Sequence, residues 1–146
     1  MPRAAYLTPM LHVADVPRSI HFYQLLGLEL TDYEGDASCP FWARMHSEGG
    51  DVMFLLAETP IDASNQTFLL YLYTDELAAL REHLLRSDIK VSEIQRPEYM
   101  KSGEISVLDP DSYSVLIGQW GTVEHQRWER ERRNRLARLE NRQPSQ

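Results

Sequence analysis

Two segments of this chain, 60 residues apart, repeat one instruction: an apolar strand ends in Asp, a helix starts at once, and another strand follows. The first copy is Leu11-His12-Val13-Ala14-Asp15-Val16-Pro17-Arg18-Ser19-Ile20-His21-Phe22-Tyr23, closed by Leu26-Gly27-Leu28. The second, weaker copy is Leu70-Tyr71-Leu72-Tyr73-Thr74-Asp75-Glu76-Leu77-Ala78-Ala79-Leu80-Arg81, closed by Ser87-Asp88-Ile89. A chain built this way holds two similar units, and paired units of this kind jointly enclose a pocket. Function is to be sought there.

The local chemistry of the first copy is specific. Asp15 suits the N-cap, where its carboxylate accepts from first-turn amides. Pro17 falls in the first turn, where a missing N–H costs little. Val16, Ile20 and Tyr23 form one apolar stripe of the sort that packs on a sheet. Gly27 supplies the left-handed residue that ends a helix.

Along the chain, residues 6–14 read as a strand, with Leu7, Leu11 and Val13 alternating against Thr8, Met10 and His12. Residues 41–46 and 52–56 read as strands joined by a hairpin at Glu48-Gly49-Gly50-Asp51. Residues 59–66 form a polar linker. The second unit is expected to follow the same order: a strand at 68–73, a helix capped by Asp75 with the stripe Leu77, Leu80 and Leu84, then strands at 89–94, 104–108 and 113–117. The fold class is therefore α+β, two βαβββ modules at 6–58 and 67–118 within a domain of residues 1–121. Residues 122–146 form an Arg-rich helical tail.

Composition sets the outer limits. At 146 residues the chain can bury a core without disulfides or metal staples. No apolar run approaches the roughly 20 residues of a membrane span, and the N-terminus lacks a secretory pattern. The expected location is the cytoplasm, with no membrane partner. Cys39 is alone, so it offers neither an intramolecular disulfide nor a multi-thiolate site. Between residues 124 and 142 seven Arg stand against four acids, a balance of +3; the other eight Lys and Arg face 18 acids, a balance of −10. A body this acidic repels phosphate backbones, so nucleic acid is not an expected partner. The interleaved Glu129, Glu131 and Glu140 mark the tail as a solvated helix paired at helical spacing.

The motif Asp15-Val16-Pro17-Arg18-Ser19-Ile20-His21-Phe22-Tyr23 with Leu26-Gly27, and the turn Asp109-Pro110-Asp111-Ser112-Tyr113, resemble those of the vicinal oxygen chelate superfamily. That superfamily includes glyoxalase I, extradiol dioxygenases, fosfomycin-modifying enzymes and bleomycin-resistance proteins. The resemblance spans about residues 6–118. It implies curved sheets forming an open cup, often completed across a homodimer. It also implies four metal-ligand positions, which carry His or Glu in the chelating enzymes and fall here on Thr8, Phe54, Phe68 and Leu116. None offers an imidazole or carboxylate donor. No metal or other cofactor is therefore expected.

With three of those positions apolar and the fourth a hydroxyl, the cup is expected to be a small-molecule pocket lined by Thr8, Met10, His12, Trp42, Phe54, Phe68, Tyr99, Met100 and Leu116. His12 and Glu104 are candidate catalytic proton-transfer groups. The bland alternatives are a backbone-bonded His12, a core Trp42, local loop packing of Tyr99 and Met100, and a solvated Glu104 at a strand edge. The leading functional expectation is a metal-free protein that holds an apolar or aromatic ligand. A metal-independent isomerase or lyase using His12 or Glu104 is the alternative. A third is a non-catalytic interaction module whose tail binds a partner.

Overall fold

A computed structural model describes residues 2–142; the last four residues of the expected tail, and Met1, lie outside the described residues. The first unit opens with β1 (Met10–Val13), and Asp15 turns the chain into α1 (Val16–Leu25). Asp15 is extended, and its Oδ1 accepts from the Arg18 amide at 3.0 Å, as an N-cap should. Gly27, at φ +95°, reverses the chain while the Leu28 amide bonds back to the Tyr23 carbonyl at 3.1 Å. β2 (Glu29–Asp36), β3 (Cys39–Ser47) and β4 (Gly50–Leu56) complete a four-stranded sheet ordered β1-β4-β3-β2. β1 runs parallel to β4, and the other pairs are antiparallel.

The second unit contains β5 (Leu69–Thr74), α2 (Leu77–Arg86), β6 (Glu104–Leu108) and β7 (Ser114–Gln119), with its sheet ordered β5-β7-β6. β5 is parallel to β7, which repeats the β1–β4 relation. The whole is an α+β arrangement of two open mixed sheets, followed by α3 (Thr122–Glu140).

Three local expectations are corrected. The first strand is only four residues long, and Tyr6 and Leu7 stand almost fully in solvent. A strand at 89–94 does not form, so the second unit has one strand fewer than the first. Ser92 explains this: its Oγ accepts the Ser106 amide at 2.9 Å and donates to the Glu93 carbonyl, displacing ladder bonds. What remains is an isolated bridge between Gln95 and Glu104 and one bond from the Ser92 amide to the Ser106 carbonyl at 3.1 Å. Asp75 is not the cap of α2. That position is Glu76, with no side-chain cap bond, while Thr74 Oγ1 and Gln119 Oε1 accept from the amides of Glu76 and Leu77. Gln119 Nε2 in turn donates to the Asp75 carbonyl at 2.8 Å.

Both helices cover the buried sides of the sheets, and one apolar core runs through both units. Val16, Phe22 and Tyr23 of α1 and Leu77 and Leu84 of α2 supply its helical part. Fully burying a side chain such as Val16 or Leu84 contributes about 1.5–3 kcal/mol. The units are also joined by their two motifs. Asp111 Oδ1 accepts from the Ala14 amide at 3.1 Å and from Arg18 at 3.3 Å, and the Tyr113 hydroxyl donates to the His12 carbonyl at 2.8 Å.

α3 differs from the rest. None of its 19 residues is buried. It is anchored at its start, where Glu124 accepts from the Gly121 amide at 2.9 Å and Trp128 packs edge-on against Trp120, ring centroids 6.1 Å apart.

Candidate functional site

Strand alternation assigns every sheet residue to a helix-covered side or an open side. In the first sheet the buried series is Leu11 and Val13, Ala43 and Met45, Val52 and Phe54. The open side therefore carries Met10 and His12, Trp42 and Arg44, Met53 and Leu55, which meet as register partners His12–Leu55, Trp42–Leu55 and Arg44–Met53. In the second sheet the open side carries Tyr71, Tyr73, Glu104, Leu116 and Gly118.

This corrects two expected pocket residues. Phe54 has no exposure and lies under α1, its ring 4.9 Å from that of Tyr23. Strand parity sends Met53 and Leu55 to the open side in its place. Phe68 precedes β5 and packs edge-on against Tyr113, which sits in the clasp between the units, so Leu69 and Tyr71 take the open positions. Leu116 does lie on the open side, opposite Tyr71 and Ser106. Thr8 sits beside the first open face, accepting from Arg44 Nη2 at 3.4 Å.

The most organised polar group on either face is Glu104. It is 8 % exposed, and each oxygen accepts one phenol: Oε2 from Tyr71 at 2.5 Å and Oε1 from Tyr99 at 2.8 Å. Glu104 is not a solvated edge acid. The bridge to Gln95 holds its backbone on one side, with N–H···O distances of 2.8 and 2.9 Å, and β7 holds it on the other. Gly118 lies directly across from Glu104, and a side chain there would crowd its neighbours. A Cβ would stand 2.8 Å from the Met100 methyl and 2.9 Å from the Tyr71 hydroxyl. The bare backbone lets the Tyr71 phenol pass diagonally to Glu104 and lets Met100, itself buried, close the floor. Burial and then the Glu104 hydrogen bond push the Tyr71 phenol well above its usual range, and Tyr99 is raised chiefly by its bond to Glu104. Both phenols therefore stay protonated and donating at neutral pH.

An aromatic row leads away from this carboxylate. Tyr71 and Tyr73 have ring centroids 5.2 Å apart, Tyr73 and Trp120 5.5 Å, and Trp120 and Trp128 6.1 Å. Arg132 stands over Trp128, 5.2 Å from its centroid. Tyr71, Tyr73 and Trp120 were not singled out from sequence. The available signal was their alternation with Leu70 and Leu72, which puts the two tyrosines on one face.

On the first sheet, Arg44 Nε donates to Asp51 Oδ2 at 2.7 Å, and His46 Nδ1 lies 2.6 Å from Asp51 Oδ1. These contacts hold the Asp51 carboxyl below its ordinary range, the Arg44 bond most. His12 presents an exposed ring beside Met10, and its carbonyl is engaged by Tyr113. Among the described residues no hydrogen bond joins the His12 ring to Glu104. A cleft of about 300 Å³ between the end of α1 and α2, lined partly by Leu26, Leu80 and His83, shares only Tyr73 with the Glu104 row.

Among the described residues no group of three or more His, Cys, Asp or Glu side chains is placed to hold a metal ion. Thr8, Phe54, Phe68 and Leu116 neither converge nor supply nitrogen or carboxylate donors, so these residues do not fit the metal of the chelating enzymes. No helix of the described residues is long and apolar enough to cross a membrane.

Two βαβ-type units with open sheets and a clasp between their motifs define a class of paired-module proteins. The sequence matches the Glyoxalase/Bleomycin resistance protein/Dioxygenase superfamily over residues 5–117, and the chain belongs to that family. Its fold is shared by a bleomycin-binding protein solved in complex with bleomycin, at 19 % identity and a TM-score of 0.63 over 81 % of this chain and 100 % of that one. TnmS3, an antibiotic-binding protein from Streptomyces sp. CB03234, aligns at 19 % identity and a TM-score of 0.61 over 83 % and 99 %. Lactoylglutathione lyase from Agrobacterium tumefaciens aligns at 20 % identity and 0.62 over 81 % and 95 %. At these identities the likeness is one of fold. No curated protein sequence gives a significant match.

Proposed function

We propose that this chain is a small-molecule-binding protein that holds an apolar or aromatic ligand on the open face of its sheets, without a metal. The observation that carries this reading is the Tyr71–Glu104–Tyr99 cluster, floored by Met100 and flanked by Leu116 and Tyr73. It offers ring faces and aliphatic surface around a few fixed polar atoms, the usual composition of a ligand site. Two fold neighbours that bind antibiotics support it. Met10, His12 and Trp42 line the other open face. A homodimer that sets one protomer's first face against its partner's second would bring the two together. Edge strand β2 has no buried residue, and its Leu30 and Tyr33 are 39 % and 44 % exposed, which is consistent with a missing cover. Proton-transfer catalysis has less support, since both Glu104 oxygens are engaged by phenols and His12 lies apart.

The test is a thermal-shift screen of small aromatic compounds on wild type and Leu116→Glu, with sedimentation to give the oligomeric state. The expected result is a compound that stabilises the wild type and not the variant. Equal stabilisation of both would place binding elsewhere, and stoichiometric metal in the purified protein would overturn the metal-free part.

A further inference from the structure

The chemical class of the ligand can be taken further, on the reading that the open face of the second sheet is a ligand site. We propose that Glu104 and the aromatic row Tyr71–Tyr73–Trp120 form a subsite for an organic cation, an ammonium group carried on an apolar or aromatic body.

The argument begins with a missing partner. Glu104 is almost fully buried, yet among the described residues no Lys, Arg or His lies within ion-pair distance of it. The neighbouring Arg96 is turned away, its Nη1 donating to the carbonyls of Lys101 at 3.4 Å and Ser102 at 3.1 Å. A buried carboxylate without a counter-charge is costly unless it is hydrogen-bonded. The two phenols cover about half of the roughly four acceptor positions a carboxylate offers. Among the described residues no third side-chain donor bonds to it, so the remaining capacity is open to a donor on a ligand.

The surroundings select the sign of that ligand. Ring faces carry negative quadrupole density and attract cations. Tyr71, Tyr73 and Trp120 present such faces in succession, with centroid spacings of 5.2 and 5.5 Å, leading outward from the carboxylate. At the far end of the row the protein places its own cation, Arg132, over Trp128. The inner end has none. Residues outside the 124–142 tail segment carry a balance of −10, which draws cations toward the body and repels anions. A neutral flat molecule would use the rings and leave Glu104 unanswered; an ammonium uses both.

The test compares benzylammonium with its neutral carbon isostere, ethylbenzene, on the full chain by NMR titration. Wild type is expected to bind the ammonium about tenfold more tightly than the isostere, within the range such contacts reach. Glu104→Gln should abolish that preference while leaving isostere binding in place. Tyr73→Leu, at a mostly exposed position that keeps apolar bulk, should weaken the ammonium severalfold and spare the isostere. This second variant keeps the test alive should Glu104→Gln fail to fold. Equal or tighter binding of the isostere, lost in Leu116→Glu, overturns the cation class and leaves the ligand site standing. A preference that survives both Glu104→Gln and Tyr73→Leu also overturns it. Binding of neither probe, with a blank aromatic screen, overturns the site itself.

Discussion

The Tyr23 hydroxyl donates to Asp109 Oδ2 at 2.9 Å across 86 residues of sequence, and this buried bond joins the helix of one unit to the turn of the other. Asp109 Oδ1 meanwhile accepts the amides of Asp111 and Tyr113, both at 2.9 Å, which shapes the turn. One carboxylate therefore does two jobs: it folds its own turn and holds the neighbouring unit. Tyr23→Phe keeps the ring in the core and removes the donor, leaving Oδ2 buried and unpaired. A loss of about 1–3 kcal/mol is expected, read from urea unfolding, and a loss well below that would mean water replaces the phenol.

Two carboxyls should give opposite pH profiles. Burial outweighs the hydrogen bonds of Asp109 and raises its pKa in the folded state. Its contribution is full below the unfolded value, about 3.9, and is lost as pH rises through the higher folded value. Asp51 is lowered by Arg44 and His46, so its contribution is present above the unfolded value and lost as pH falls through the folded one. Against Asp109→Asn, wild type should lose relative stability on going up from about pH 4. Against Asp51→Asn, it should lose relative stability on going down from there. Urea titrations of the three proteins across that range check the signs, and profiles sloping the same way would contradict the assignment.

Much of the scaffold was legible in the sequence because its signals are local. Asp15, Pro17 and Gly27 act within one turn of their own positions, and the structure shows each doing so. The Asp109–Tyr113 turn was equally visible, but its reach to Tyr23 and Ala14 was not, since nothing local encodes a bond across 86 or 97 residues. Errors at the site came from parity. A strand's side chains flip face with a shift of one residue: placing Phe54 on the open side exchanges a core residue for Met53 and Leu55, and placing Phe68 there passes over Leu69 and Tyr71. The sequence marks Glu104 as a candidate proton-transfer group or a solvated edge acid but does not reveal its burial, which depends on Tyr71, Tyr99 and an empty Cβ position at Gly118. The strand expected at 89–94 gives way at Ser92, whose hydroxyl accepts the Ser106 amide and whose carbonyl accepts from Arg81 in place of ladder bonds, a competition no periodicity could register.

Gly118 tests the geometry of the candidate site directly. In Gly118→Ala the new methyl meets the Met100 terminus, which can swing away, and the Tyr71 hydroxyl, which can do so only by leaving Glu104. Overpacking of this kind costs about 1–3 kcal/mol. The expected signature is a lower urea midpoint and loss of ligand binding. Shortening the flexible partner in Gly118→Ala/Met100→Ala should recover part of the stability but not the binding, because the Tyr71 bond remains displaced. Full recovery of binding in the double variant would show that the thioether alone was in the way.

The tail makes a separate prediction, because its helix has no core of its own. A solvated helix of this length is marginal unless its ends are fixed, and α3 is fixed at one end by the Glu124 cap and the edge-on packing of Trp128 against Trp120. Removing the carboxylate in Glu124→Ala forfeits the N3 half of a capping box, a device worth about 0.3–1.5 kcal/mol to the helix. Removing the indole in Trp128→Ala takes away both the contact with Trp120 and the face that Arg132 covers. Each variant should lower helical ellipticity at 222 nm while the cooperative thermal transition of the two units stays close to that of wild type. The double variant should lose more helix than either single one, since the cap and the indole contact act at the same end. A large fall in Tm with either substitution would mean instead that α3 braces the sheet it leaves, through Trp120 and Tyr73.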